Sequence, residues 1–390
     1  MSKVLIIGNG FDIYHGLPTR YNDFLFIAEH WSEFYETYTN SAATGNKNEL
    51  ITVRLDNGKL TSDSLVDYAQ HKYIFDKKHI QYLNEHITTS AWIKYFLDIK
   101  FNGKGWVDFE AEIDRVLHAI DFFFEHLHEH VRESINNSQT ITSDIRSIAR
   151  KFLTLTEDKY DCGYFGILNA SQVEAPKLRA HRLYLIDKLK EELNVLNECL
   201  RLYLMEFVER LKCEMYSEQI QSLEDVNLLN FNYTYTYKKV YGDLRRSHHP
   251  IHGDCLYGGM VLGVSDDSFN NQLEYIYFVK YFQRIQKKTG SFYKEWIRKP
   301  NHSEQTWSDV SCEVYIIGHS MADTDKGVLE DFFRNDWVEK ITIFYHDQSA
   351  YENIVINLVS MFGKEFVIEQ TGVERIVFEQ LTPAVEVDRC

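Results

Sequence analysis

Proline is scarce in this chain, with 5 in 390 residues. Packed elements are therefore expected rather than Pro-rich linkers, and no low-complexity tract interrupts the sequence. No run of 18 apolar residues occurs, so no segment has the length to cross a bilayer as a helix and no membrane partner is expected. Cysteine occurs at 162, 199, 213, 255, 312 and 390, with no C-x-x-C pair. A zinc ribbon is not expected, nor is any metal cofactor. Scattered cysteines behind an N-terminus without a secretory pattern lead to the expectation of a reducing, cytoplasmic location. Positive charge is the other shortage: 42 Lys and Arg face 58 Asp and Glu, a formal charge of -16. Such a surface repels nucleic acid on average.

The chain has the means to build a core, being 44% hydrophobic and 14% aromatic. Its length allows one large domain with an insertion, or a few smaller ones. One stretch runs against the acidic balance. Val279–Pro300 carries Lys280, Arg284, Lys287, Lys288, Lys294, Arg298 and Lys299 among Tyr281, Phe282, Phe292, Tyr293 and Trp296. It reads either as an amphipathic helix and loop whose aromatics pack inward, or as a nucleic-acid patch. Nucleic acid therefore stays open as a partner.

Val4–Ile7 is a short apolar run of branched residues that meets Gly8-Asn9-Gly10, and Gly16-Leu17-Pro18 follows closely. Bounded by glycine, the run reads as a strand buried on both faces in a parallel sheet. Gly8-Asn9-Gly10 is either a tight strand-to-helix turn or a loop that turns backbone N–H groups towards a phosphate. The dinucleotide fingerprint G-x-G-x-x-G is incomplete, because Ile13 holds its third glycine position.

The pattern then turns helical and returns to strands. Tyr21–Tyr38, Trp92–Leu97, Phe109–Glu129 and Lys177–Met215 have helical spacing, with Phe109, Ile113, Val116, Ile120 and Phe124 on one face. Val226–Asn230, Met260–Val264, Val314–Ile317 and Ile341–Tyr345 are short apolar runs, and Phe366–Glu369 is a further candidate strand. The expectation is an α/β fold, Rossmann-like, with a mostly parallel sheet and a large α-helical insertion. Residues 1–25 and 218–390 would form the nucleotide-binding core, and residues 26–217 the helical insertion or cap. Ligands of open α/β sheets bind at the carboxyl ends of the strands. Gly8-Asn9-Gly10, Asn232, Gly318-His319-Ser320 and Asp347 would gather there.

The segments GNGFDIYHGLPTRYNDFL, WVDFEAEI (Trp106–Ile113), LLNFNYT (Leu228–Thr234), HPIHGD (His249–Asp254), LGVSDD (Leu262–Asp267) and YIIGHSMADTDKGVLEDFF (Tyr315–Phe333) closely resemble the AbiH family of bacterial abortive-infection proteins acting against phage. A more distant resemblance is to sirtuins and sirtuin-like NAD hydrolases. Those carry Gly-Ala-Gly, four residues, then x-Gly-Ile-Pro. Here Gly8-Asn9-Gly10, four residues and His15-Gly16-Leu17-Pro18 repeat the spacing. Phe231-Asn232-Tyr233-Thr234, His252-Gly253 and Gly318-His319-Ser320 follow in the order of the hydrolase motifs.

These resemblances imply an antiphage effector that binds and hydrolyses NAD at the nicotinamide–ribose bond. Asn232 would hold the ribose and His252 would accept a proton. Gly8, Asn9, Gly10, Phe11, Asp12, Gly16, Pro18, Gly318, His319 and Ser320 would line the NAD site, NAD being substrate or ligand. A homo-oligomer, or a defence or phage trigger protein, would be the further partner. Thr234 departs from the pattern, which has an acid there, and no four-cysteine zinc module exists.

Plainer readings stand beside these. Asn232 and His252 suit turns. His319 and Ser320 could cap the helix beginning near Asp323, with Asp323 and Asp325 as its N-terminal acids. Asp108, Glu110 and Glu112 are solvated helix acids or, with the basic stretch, part of a nuclease. A nucleotide sensor without catalysis is a further alternative.

Overall fold

In the computed structural model, residues 2–42, 45–101, 107–125, 147–148, 151–152, 154–155, 175–269, 272–298 and 311–386 are described. The first strand, β1 (Ser2–Ile7), is buried from Val4 onwards. Its side chains alternate between two cores: Val4 and Ile6 enter one, Leu5 and Ile7 the other. A strand covered on both faces belongs inside a parallel sheet. Then come β2 (Met215–Tyr216), β3 (Asn227–Asn230), β4 (His248–Pro250), β5 (Cys312–Ile317), β6 (Val338–Tyr345), β7 (Ile376–Gln380) and β8 (Val385–Glu386). A six-stranded sheet runs β4-β3-β1-β5-β6-β7, and every adjacent pair is parallel. Strands β2 and β8 pair antiparallel beside it. The architecture is the expected Rossmann-like α/β fold with helices inserted after β1.

From β1 the chain builds outwards through β3 and β4, then returns to the other side of β1 with β5, β6 and β7. The strand order thus reverses at β1, and a crevice opens at such a switch point. Register brings the strand ends level there. Pro250 pairs with Asn230, Asn230 with Ile7, and Ile7 with Ile317. The residues just beyond that row are Ile251-His252, Phe231-Asn232, Gly8 and Gly318-His319.

The helices from Tyr21–Glu29 to Ala175–Tyr203 share one apolar core with Leu262, Val264 and Val279 from later in the chain. Aromatic rings fix its inner face. Phe109 stacks between Tyr21 and Phe96, each at 4.2 Å between ring centroids. Each such pair contributes about 0.5–1.5 kcal/mol beyond its buried area. The stack holds the start of the helix Phe109–Glu125, and with it Glu110, against the helix Tyr21–Glu29.

The structure corrects several elements. Tyr21–Tyr38 is broken at His30 into the helices Tyr21–Glu29 and Trp31–Asn40. The long helix Ala175–Tyr203 closes in a π-turn, Leu204–Val208, and Met215 already belongs to a strand. Phe366–Glu369 lies in the helix Lys364–Gly372, which buries Val367 and leaves Ile368 exposed; the strand follows at Ile376. Met260–Val264 joins no strand of the sheet, and Val264 only bridges Val279. Residues 126–129 and Trp106 lie outside the described residues. Among the described residues no helix is long and apolar enough to cross a membrane.

Candidate functional site

The glycines of the first turn serve a close backbone approach. Gly8 N–H donates to Ile317 O at 3.2 Å, and Gly10 N–H to Gly318 O at 2.8 Å. A Cβ at Gly8 or at Gly10 would stand 2.8 Å from backbone atoms of the turn Gly318-His319. Gly318 has φ +65, and a Cβ there would overlap the Phe11 amide nitrogen. The two glycine turns are thus fastened to each other, and the N–H groups of Gly8 and Gly10 are engaged with carbonyls.

Asp12 neither caps a helix nor faces outwards. It lies inside the first helix, Asn9–Tyr14, and is buried. Asn232 Nδ2 donates to Asp12 Oδ1 at 3.1 Å and to Gly8 O at 3.0 Å. Thr234 Oγ1 donates to Asp12 Oδ2, so a carboxylate does stand beside Thr234, carried by another segment. Burial pushes the Asp12 carboxyl up to about 7, against the hydrogen bonds of Thr234 and Thr236. Asn230 Oδ1 accepts the Asn232 N–H at 2.9 Å and fixes the turn.

Next to Asn232 the ring of Phe231 packs edge-on against two histidines, His252 at 5.3 Å and His319 at 4.5 Å between ring centroids. Both meet Asp325. His252 Nε2 is 3.0 Å from Asp325 Oδ1, and His319 Nε2 is 3.4 Å from Asp325 Oδ2. Lys280 Nζ donates to Asp325 Oδ1 and Glu110 Oε2, each at 2.8 Å. His252 and Lys280 are almost fully buried. The Met321 N–H donates to His319 Nδ1 at 3.0 Å, whereas His252 Nδ1 is buried without a partner.

Electrostatics follow from this packing. Burial lowers His252 to about 4, despite Asp325, so the ring is neutral near pH 7. Burial opposes the charge on Asp325, but Lys280 and His252 outweigh it and hold the carboxyl well below the usual range. Burial lifts Glu110 to about 7 in spite of Lys280. Burial also works against the Lys280 ammonium, and Asp325 and Glu110 more than reverse it.

The other expected site residues are more dispersed. Asn9 and Ser320 are exposed. Asn9 Oδ1 accepts from Thr19 Oγ1 at 2.7 Å, and Asn357 Nδ2 donates to Ser320 O at 2.8 Å. Phe11 is a core residue, against His15 at 4.4 Å and Tyr237 at 6.2 Å. Gly16 and Pro18 face the helical part, where Tyr203 Oη donates to Pro18 O at 2.6 Å. Asp347 caps the helix Gln348–Phe362 through the Ala350 N–H.

The three acids of WVDFEAEI take three separate partners. Asp108 accepts from the N–H groups of Glu110 and Ala111, Glu110 pairs with Lys280, and Glu112 lies 3.7 Å from Arg115. Among the described residues no group of three His, Cys, Asp or Glu side chains is placed to hold a metal.

The basic stretch keeps the inward-packing reading at Tyr293 and Trp296 and departs from it in its helix. The helix Lys280–Lys287 buries Lys280 and Gln283 and exposes Tyr281 and Ile285. Its apolar side faces water because its polar side completes the buried cluster. Arg284 pairs with Asp266, Lys294 with Asp331 and Arg298 with Glu295. A cavity of about 510 Å³ lined by Glu330, Asp331, Arg334, Asn335, Asp336 and Trp337 lies by the amino end of β6, away from these groups.

Of the expected site residues, Asn232, His252 and His319 are brought together around Phe231. From sequence, Asp325 reads as a helix acid and Lys280 as part of a basic face. Only the position of Lys280, directly after the apolar run Tyr275–Val279, hinted at burial.

A Rossmann-like sheet with a buried His–Asp–Lys–Glu cluster at its switch point defines an α/β protein with a candidate ligand or catalytic site at the strand ends. A family model described as bacteriophage abortive infection AbiH matches residues 4–347. The chain belongs to the AbiH family, and that membership implies a role in abortive infection of phage. No curated protein matches the chain, and no solved structure matches it.

Proposed function

We propose that the protein is an abortive-infection effector that hydrolyses NAD at the nicotinamide–ribose bond, using the strand-end cluster. The observation that carries this reading is His252: neutral, tied through Nε2 to Asp325, and left with a buried Nδ1 that has no partner. A lone pair held ready in this way suits a general base. In the proposed reaction a water oxygen bonds to the ribose anomeric carbon while its proton passes to His252 Nδ1. The carbon–nitrogen bond breaks, and its electron pair returns to the pyridinium nitrogen. Nicotinamide leaves neutral, ADP-ribose is the second product, and the imidazolium returns its proton to solvent.

In this reading Asn232 sets the ribose beside the base, held in turn by Asp12 and Gly8 O. The N–H groups of Gly8 and Gly10 are engaged, so Asn9 and Ser320 on the exposed rim are the groups left to meet the phosphates. The closed cluster accords with an effector that is silent until a trigger opens it, in the cytoplasm where NAD is available.

A nucleotide sensor without turnover is the second reading, favoured by the same closure. A nuclease has less support, since Lys280, Arg284, Lys294 and Arg298 are already paired with carboxylates.

The test is nicotinamide release from NAD by the full chain, beside His252→Ala and Asn232→Ala. Release that is lost in both variants supports the hydrolase. Saturable NAD binding without release fits the sensor or an effector still awaiting its trigger, and neither binding nor release counts against both.

A further inference from the structure

We infer that Asp325 is a positioning residue: by facing two histidines at once, it makes His252 Nδ1 the one free imidazole acceptor of the cluster. This inference rests on the proposed role of His252 as proton acceptor, and it is tested separately from it.

The argument is a count of donors and acceptors. A neutral imidazole carries one N–H, and its other nitrogen accepts. The N–H of Met321 donates to His319 Nδ1 at 3.0 Å, so Nδ1 is the acceptor and Nε2 carries the hydrogen. His319 Nε2 lies 3.4 Å from Asp325 Oδ2, so the carboxylate is the acceptor nearest that hydrogen. His252 Nε2 lies 3.0 Å from Asp325 Oδ1, and a carboxylate can only accept. His252 therefore also carries its hydrogen on Nε2, and its lone pair is on Nδ1, buried and unpartnered. Without the carboxylate, nothing in these contacts fixes the tautomer of His252.

Charge makes the arrangement stable. Lys280 shares Oδ1 with His252 and keeps Asp325 ionised, and Glu110 balances Lys280 from the helix Phe109–Glu125. Arg284 acts on His252 from farther off, and Tyr21 and Tyr233 lie near the acids Glu110 and Asp325. One carboxylate thus answers three side chains: it accepts from His252 and Lys280 through Oδ1, and its Oδ2 faces His319. An amide cannot replace it. Its single oxygen has the acceptor capacity of one end only, and its NH₂ would face a ring nitrogen that already carries hydrogen. Asp325→Asn must therefore release or invert one of the rings.

The experiment reads tautomers directly. Full-length protein with ¹⁵N-labelled histidine is examined by two-bond ¹H–¹⁵N NMR at pH 7. The signals of the two rings are assigned from His252→Gln and His319→Gln. The inference expects His252 and His319 both as Nε2–H tautomers in the wild type. In Asp325→Asn one of them should change tautomer or average between forms, and Asp325→Glu, which keeps two acceptor oxygens, should restore the wild-type pattern at least in part.

Nicotinamide release is followed on the same samples. Asp325→Asn should lower kcat by about 100-fold or more with KM changed less than about threefold, the pattern of a base left in the wrong tautomer. A wild-type His252 that carries hydrogen on Nδ1 overturns the inference without any variant, as do unchanged tautomers in Asp325→Asn. Wild-type protein with the expected tautomers that neither binds NAD nor releases nicotinamide upholds the positioning and counts against the NAD reading instead.

Discussion

Asn232 Nδ2 stands 3.1 Å from Asp12 Oδ1, joining the turn after β3 to the first helix of the chain. The acid is buried and its pKa is raised to about 7, against 3.8 unfolded. The folded state therefore holds its proton more tightly. That contribution to stability is complete below about pH 4 and is lost as pH rises through 7, at up to about 1.4 kcal/mol per pH unit. Asp12→Asn removes the titration while keeping an acceptor for Asn232. Urea midpoints at pH 5 and pH 8 should shift in favour of the variant as pH rises. Parallel pH dependence in the two proteins would count against a raised Asp12.

Gly318 tests the fastening of the two turns. Its φ of +65 and the overlap of a Cβ with the Phe11 amide combine strain with a clash. Gly318→Ala should cost about 3 kcal/mol or more. Gly242 has φ +85 but nothing within 4 Å of an added Cβ, so Gly242→Ala should cost only about 1 kcal/mol. Chemical denaturation of both variants gives the comparison, and equal costs would deny the close approach its importance.

Lys280→Met leaves Glu110 and Asp325 buried without their cation. Breaking a buried pair from one side costs about 3–5 kcal/mol. The deficit should widen between pH 6 and pH 8, because without Lys280 the Glu110 carboxyl is raised further and the folded variant keeps a proton that the unfolded chain has already lost. Thermal melting at the two pH values measures it. A loss independent of pH would place the role of Lys280 in packing alone.

For the proposed hydrolysis, the acid limb of kcat against pH should lie near pH 4 to 5. An exposed histidine base would place it near pH 6.5. The neutral form of His252 is the active one and persists down to about pH 4. A limb at pH 6.5 would show that another group accepts the proton.

Much of the frame was legible from local patterns. Val4–Ile7 and Val314–Ile317 are continuous branched runs that end in glycine, and such runs specify buried parallel strands whatever lies far away in sequence. That was enough to place Gly8, Asn232 and Gly318-His319 on one edge. Lys280 and Asp325 were not legible in this way. The two are partners 45 residues apart in the chain, and Glu110 lies still farther off. Each has a sound local reading, as a helix base or a helix N-terminal acid. Only the assembled fold gives them charges to answer. The inverted helix Lys280–Lys287 was misread for the same reason, since periodicity reports that a helix has two faces but not which one meets a polar core.

The central position of β1 has a consequence for biosynthesis. Ile7 pairs with Asn230 on one side and with Ile317 on the other. The first strand made must wait for residues near 317 before its second edge is covered, a long-range closure that makes folding slow and late. A ribosome that stops earlier leaves a fragment with neither His319 nor Asp325.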